Sequence, residues 1–172
     1  MSTAACMPSE HDARIESHWD EERPMTDSAI QLGNLIARYA ELIDGGDFDG
    51  VGDLLSRASV GSADSSSLLT GRDALVALFT STTRRYPDGT PGTKHVTTNL
   101  ILEIDDEAGT AAARSYFTVL QAVPGLPLQP ILAGRYHDRF ERDSRTWYFS
   151  ERRYLVELVG DIGHHMIGGL PT

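Results

Sequence analysis

The chain has 172 residues and a mass of 18.8 kDa, with 15 Lys+Arg against 25 Asp+Glu and a formal net charge of -10. That length gives room for one folded core and not for two enzymes in tandem. The acidic balance repels phosphate backbones, and no stretch approaches the ~20 consecutive apolar residues of a membrane helix, so neither nucleic acid nor membrane is expected as a partner. Cys6 is the single cysteine, which rules out an internal disulfide and a paired-cysteine zinc site and fits a reducing, cytoplasmic setting. Lys94 is the single lysine, so Schiff-base chemistry would rest on that residue alone.

Residues 1–26 are rich in acids, lack apolar periodicity and read as a disordered acidic tail without the basic start and apolar run of a signal peptide. Thr26, Asp27 and Ser28 offer cap oxygens to a first helix. It carries Ile30, Leu32, Leu35, Ile36, Tyr39, Leu42 and Ile43 at helical spacing. Gly45 and Gly46 end it, and Asp47 caps a short second helix reaching Leu54 and Leu55. Residues 56–70 are Ser-rich, with one weak strand around Ser67–Thr70. Gly71, Arg72 and Asp73 open a third helix that carries Leu75, Leu78 and Phe79 on one face and ends before Pro87.

From Thr93 the apolar period changes from 3.6 to 2. Four long strands are predicted, over 94–104, 110–123, 130–142 and 146–159, joined as hairpins. Three helices followed by an antiparallel meander is an α+β order, with the helices covering one face of the sheet. Strands this long exceed the usual ~5–6 residues, so the sheet must curl, and a curled sheet closed by helices encloses a pocket. Residues 161–172 read as a flexible, glycine-rich end.

Six histidines are present. His11 and His18 fall in the tail, His164 and His165 in the loose end, and His137 on a charged strand face with Arg135, Arg139 and Glu141, all solvent-exposed positions by pattern. Asp161, His164 and His165 make at most a weak metal set, and neither metal nor cofactor is expected. His95 stands apart at the start of the first long strand, on the wall of any enclosed cavity, where it serves either packing or acid/base chemistry. Asp44 ends the first helix and serves either as a cap or as the carboxylate that orients His95. Tyr39 lies five residues before Asp44, about 500° around a regular helix, so the two converge only because the helix stops there. Alternation puts Leu132, Gly134, Tyr136 and Phe140 on a concave face. It groups Trp147, Phe149, Leu155 and Val159 with Arg153, and Tyr148, Tyr154, Val156 and Leu158 with Arg152. One of the two arginines is expected to face the pocket, and Tyr116 and Phe117 join Tyr136 as candidate substrate-lining aromatics. With apolar residues on both faces, one side of the sheet is expected to meet a second subunit.

The run Arg38-Tyr39, Ile43-Asp44-Gly45-Gly46-Asp47-Phe48-Asp49, then Gly71-Arg72-Asp73, Lys94-His95-Val96-Thr97-Thr98-Asn99, Gly134-Arg135-Tyr136-His137-Asp138 and Trp147-Tyr148-Phe149 through Arg153 resembles SnoaL-like proteins of the nuclear transport factor 2-like superfamily. The likeness spans about residues 27–160. It implies a cone-like fold, three N-terminal helices packed on a strongly curved sheet around a pocket, often dimeric through the outer sheet face. The nearest chemical likenesses are the scytalone dehydratase and bile acid 7α-dehydratase groups, whose Asp–His pair falls at Asp44 and His95 and whose tyrosine, in the bile acid enzymes, falls at Tyr39. Two departures are visible: the second histidine of the scytalone dehydratase pattern is absent near Leu120 and Gln121, and its polar pair is replaced by Gly134 and Tyr136. The resemblance implies cofactor-free dehydratase or isomerase chemistry on a hydrophobic hydroxy-carbonyl compound such as a steroid or polyketide. In that chemistry His95 moves the proton and Tyr39 or Tyr136 holds the enolate. The same cone also serves non-catalytic ligand carriers and assembly subunits.

Overall fold

The computed structural model describes residues 28–169. The acidic tail expected over 1–26, with the cap candidates Thr26 and Asp27, lies outside the described residues. Helix α1 (Ser28–Asp44) buries Leu32, Ile36, Tyr39, Leu42 and Ile43. Ile30 belongs to the opposite side of the helix and is exposed, a correction to the expected apolar face. The helix ends in a paired terminal motif, Asp47 N–H donating to the Leu42 carbonyl and Gly46 N–H to the Ile43 carbonyl. Gly46 takes the positive φ of 72° that this ending requires. Helix α2 (Phe48–Leu54) follows at once, capped by Asp47, whose Oδ1 accepts the Gly50 N–H at 2.8 Å. Helix α3 (Arg72–Thr82) is clamped to α2 by Arg72, which reaches Asp49 and Asp53 at 2.7 and 2.5 Å.

The strands are β1 (Ser59–Ser62), β2 (Leu69–Thr70), β3 (Thr93–Asp105), β4 (Thr110–Val123), β5 (Leu126–Asp143) and β6 (Thr146–Val159), in the sheet order β2-β1-β6-β5-β4-β3. The four long strands form the expected antiparallel meander. β1 was not expected from its Ser-rich sequence; it is anchored by the buried Val60 and runs parallel to β6, which makes the sheet mixed. Bulges curl the sheet. Asn99, at φ 53°, is the extra residue where β3 shifts register on β4, and further shifts occur at Ala133/Gly134 and Arg139/Phe140 on β5 against β6. The three helices lie against the inner face, and the core is the aromatic and aliphatic set between them, including Phe48, Val51, Leu55, Phe117, Tyr136, Phe140 and Phe149.

The C-terminal segment, expected as a flexible end, is stitched to the fold as far as Ile167. Gly160 N–H donates to Ile131, Arg84 N–H to the His165 carbonyl at 2.8 Å, and Ile167 N–H to Thr82 at 2.7 Å, with Thr83 and Met166 forming an isolated bridge. Its glycines supply turns rather than freedom, since backbone partners from α3 and the loop after it satisfy the segment's polar groups. Among the described residues no helix is long and apolar enough to cross a membrane.

Candidate functional site

The C-terminus of α1 packs against the free edge of β3, and this contact creates the site. An edge strand leaves every second N–H unpaired, and the last helical residue, Asp44, covers one of them: the His95 N–H donates to Asp44 Oδ2 at 2.7 Å. The Thr93 hydroxyl donates to Asp44 Oδ1 at 2.7 Å, and His95 Nδ1 lies 2.6 Å from the same oxygen. Both side chains are buried, 7% exposed for Asp44 and 8% for His95. Burial pushes the Asp44 carboxyl up. The hydrogen bond and charge of His95, its backbone N–H and the Thr93 hydroxyl outweigh that and hold the carboxyl below its ordinary value. An ionised carboxylate only accepts hydrogen bonds, so Nδ1 must carry the proton of the ring, and in the neutral imidazole Nε2 is the free base.

Tyr39 stands edge-on to His95, ring centroids 6.2 Å apart, and its hydroxyl lies 3.4 Å from that of Tyr154. Tyr136 crosses Tyr39 at 6.1 Å and stacks on Phe117 at 4.4 Å. Burial raises the phenols of Tyr39, Tyr136 and Tyr154, so all three keep their protons and serve as donors. These rings fill the inner end of the cone. A cavity of about 310 Å³ reaches Asp44 and Thr93 from the β3 end, bordered by Thr90, Lys94, Leu120 and Leu128. A larger one, about 460 Å³, lies among Arg114, His137, Arg139, Glu151 and Arg153.

Behind the tyrosines lies a second charged pair, Arg152 and Asp138, with both side chains 0% exposed and Nε 3.4 Å from Oδ1. The guanidinium is sandwiched between Tyr39 and Tyr136, 4.0 Å from each centroid. Burial drives the Asp138 carboxyl up to about 6, and Arg152 only partly offsets this. Among the described residues the Arg152 nitrogens, both Asp138 oxygens and the nearby Ser115 hydroxyl have no hydrogen-bond partner.

Asp44, His95, Tyr39, Tyr136 and Phe117 therefore gather on the inner face, joined by Arg152. Tyr116 and Arg153 do not. Tyr116 is 52% exposed on the outer face, and Arg153 points outward, donating to the Ser62 and Ser65 carbonyls. The reason for the arginine exchange is a bulge. Asp138 pairs with Arg152 and Phe140 with Phe149, which leaves one more residue on β6 than on β5, so the inward parity of Trp147 and Phe149 passes to Arg152 and Tyr154. Asp138 was legible, since it alternates with Tyr136 and Phe140. His165 is a second correction: 7% exposed and not in solvent, with its imidazole pushed down to about 4 by burial and by the charge of His95.

The model of the SnoaL-like domain matches residues 26–153. The chain belongs to this family. No curated protein matches it. Among solved structures, this SnoaL-like chain is similar to a nuclear transport factor 2-like protein with a cystatin-like fold from Novosphingobium aromaticivorans, at 21% identity and a TM-score of 0.58 over 88% of this chain and 92% of that one. It is also similar to a candidate scytalone dehydratase from the same organism, at 18% identity and 0.59 over 88% and 91%. A third is ActVI-ORFA from Streptomyces coelicolor, at 15% identity and 0.61 over 77% and 98%. At these identities the SnoaL-like chain shares a fold with them, the cone of helices on a curved sheet.

Proposed function

We propose that this SnoaL-like protein is a cofactor-independent acid/base enzyme, a dehydratase or isomerase of small, hydrophobic hydroxy-carbonyl compounds such as steroids or polyketides. The buried, mutually bonded Asp44–His95 pair carries the reading. Asp44 fixes the Nδ1–H tautomer, which leaves Nε2 to remove a proton α or vinylogous to a carbonyl. The electrons pass to the carbonyl oxygen, and a protonated phenol, Tyr39 or Tyr136, donates to the resulting enolate. His95 then returns its proton to the leaving hydroxyl, and water departs as the double bond forms; in an isomerisation the proton returns to carbon instead. A scytalone dehydratase candidate among proteins of the same fold supports the choice of chemistry.

The experiment compares wild type, His95→Ala and Asp44→Asn on hydroxy-enone steroids, following the conjugated product by ultraviolet absorbance. His95→Ala should lose about 10²–10⁴-fold in kcat, the usual worth of a general base. Equal turnover in wild type and His95→Ala would sink the reading. A non-catalytic ligand carrier or assembly subunit is the second reading, favoured by one observation: Tyr136 and Phe117 are buried and fill the inner end of the cone. A homodimer through the outer sheet face belongs to the same proposal, since Ile101, Tyr116 and Leu158 stand exposed there.

A further inference from the structure

The C-terminal segment brings a histidine to the site that the mechanism above does not use. The His164 carbonyl accepts from the Tyr86 hydroxyl at 2.8 Å and from Gln121 Nε2 at 3.2 Å, and the His165 carbonyl accepts from Arg84 N–H. Gln121 is fully buried and faces Thr93 across the β3–β4 ladder, and Thr93 holds Asp44. His165 thus sits on a fixed backbone beside the Thr93–Asp44–His95 network, within electrostatic reach of both His95 and Asp44. Its side chain is more than nine-tenths buried, yet Nδ1 has no hydrogen-bond partner among the described residues, and neither has Oε1 of Gln121. A buried polar atom without a partner is costly, and a histidine kept only for packing would ordinarily be hydrogen-bonded or apolar.

We propose that His165 is a second functional histidine of this site, donating a hydrogen bond from Nδ1 to the carbonyl oxygen of the small molecule whose proton His95 removes. The proposal rests on the acid/base reading of Asp44–His95. Burial keeps the His165 imidazole neutral at neutral pH, so it holds its proton while donating and polarises the carbonyl without titrating. The two histidines then divide the work. His95, charged in turn, moves the proton, and His165 steadies the oxygen on which negative charge gathers.

The test uses the full chain with two probes: a β,γ-unsaturated steroid ketone, whose isomerisation is followed by the absorbance of the conjugated enone, and a phenolic steroid as an enolate mimic for binding. His165→Leu should lower kcat/KM on the order of 100-fold. His165→Asn, whose amide reaches the same place, should restore it to within about 10-fold, with unfolding midpoints near wild type. Nitrogen NMR of the imidazoles should show the His165 Nδ1 signal moving on saturation with the phenolic steroid. Wild-type kcat/KM in His165→Leu, or an unmoved Nδ1 signal, while His95→Ala is inactive overturns the role of His165 and leaves the acid/base pair standing. Undiminished turnover in His95→Ala overturns the acid/base reading itself. Should His165→Leu not fold, the Asn variant and the NMR signal decide.

Discussion

Replacing Arg152 by Met tests the electrostatics of the inner cone. At 3.4 Å and an effective dielectric near 20, the attraction between Arg152 and Asp138 is about 5 kcal/mol, most of it offset in the folded protein by the desolvation of both charges. The sign of the pH dependence follows from Asp138. Its carboxyl rises from 3.8 to about 6 on folding, so it contributes stability that is fully present below 3.8 and lost as the pH rises through 6. Near pH 5 the carboxyl is largely protonated, and Arg152→Met loses mainly its two ring stacks, about 1–2 kcal/mol. Without the guanidinium the carboxyl stays protonated well above 6, and each further pH unit costs the variant about 1.4 kcal/mol relative to wild type.

Urea unfolding of wild type and Arg152→Met at about pH 5 and about pH 8 should therefore give a loss near 1–2 kcal/mol at the lower pH and about 4 kcal/mol at the higher. Arg152→Met combined with Asp138→Leu should return to within about 1 kcal/mol of wild type at both, because a buried pair replaced whole by apolar residues is close to neutral. A loss independent of pH, or a double variant no better than the single one, would refute the reasoning: Asp138 would then not be the charge that Arg152 compensates.

Two further outcomes follow from the fold. Gly46→Ala should cost about 1–3 kcal/mol, since the position holds a positive φ and the added carbon would meet the Gly89 carbonyl; a urea midpoint unchanged from wild type would contradict this. Leu158→Asp on the exposed outer face should shift sedimentation toward the monomer without altering the circular dichroism spectrum, and an unchanged distribution would count against a dimer through that face.

Much of the fold was legible because periodicity is a local property. The α1 face through Leu32, Ile36, Tyr39 and Ile43, the stop at Gly45 and Gly46, and the four long strands all follow from spacing and turn chemistry. Asp44 and His95 were legible as candidates, but their convergence depends on the edge of β3 having an unpaired N–H to offer, which is a matter of sheet order. What escaped depended on pairing. β1 has little sequence signal because its partner, β6, supplies the order. Arg152 and Arg153 were indistinguishable because strict alternation cannot see a bulge, and His165 looked free because its anchors at Thr82, Arg84, Tyr86 and Gln121 lie 43 or more residues away in the chain.

The bulge on β6 has a consequence for how such a protein tolerates change in chain length. Opposite Arg139 and Phe140 the strand carries one residue more than its neighbour needs, Ser150, and the bulge takes up that extra residue. Removing Ser150 would therefore leave Phe149, Glu151 and Arg152 opposite Phe140, Arg139 and Asp138 in plain alternation, so Arg152 and Tyr154 would stay inside. An added residue at the same place would have to be absorbed by a wider bulge or would turn Arg153 and Leu155 inward. An alignment that slides a gap across Ser150-Glu151-Arg152-Arg153 would exchange the two arginines on paper. Equivalence with a relative's arginine at this point has to be argued from ladder partners, Asp138 above all, and not from column position.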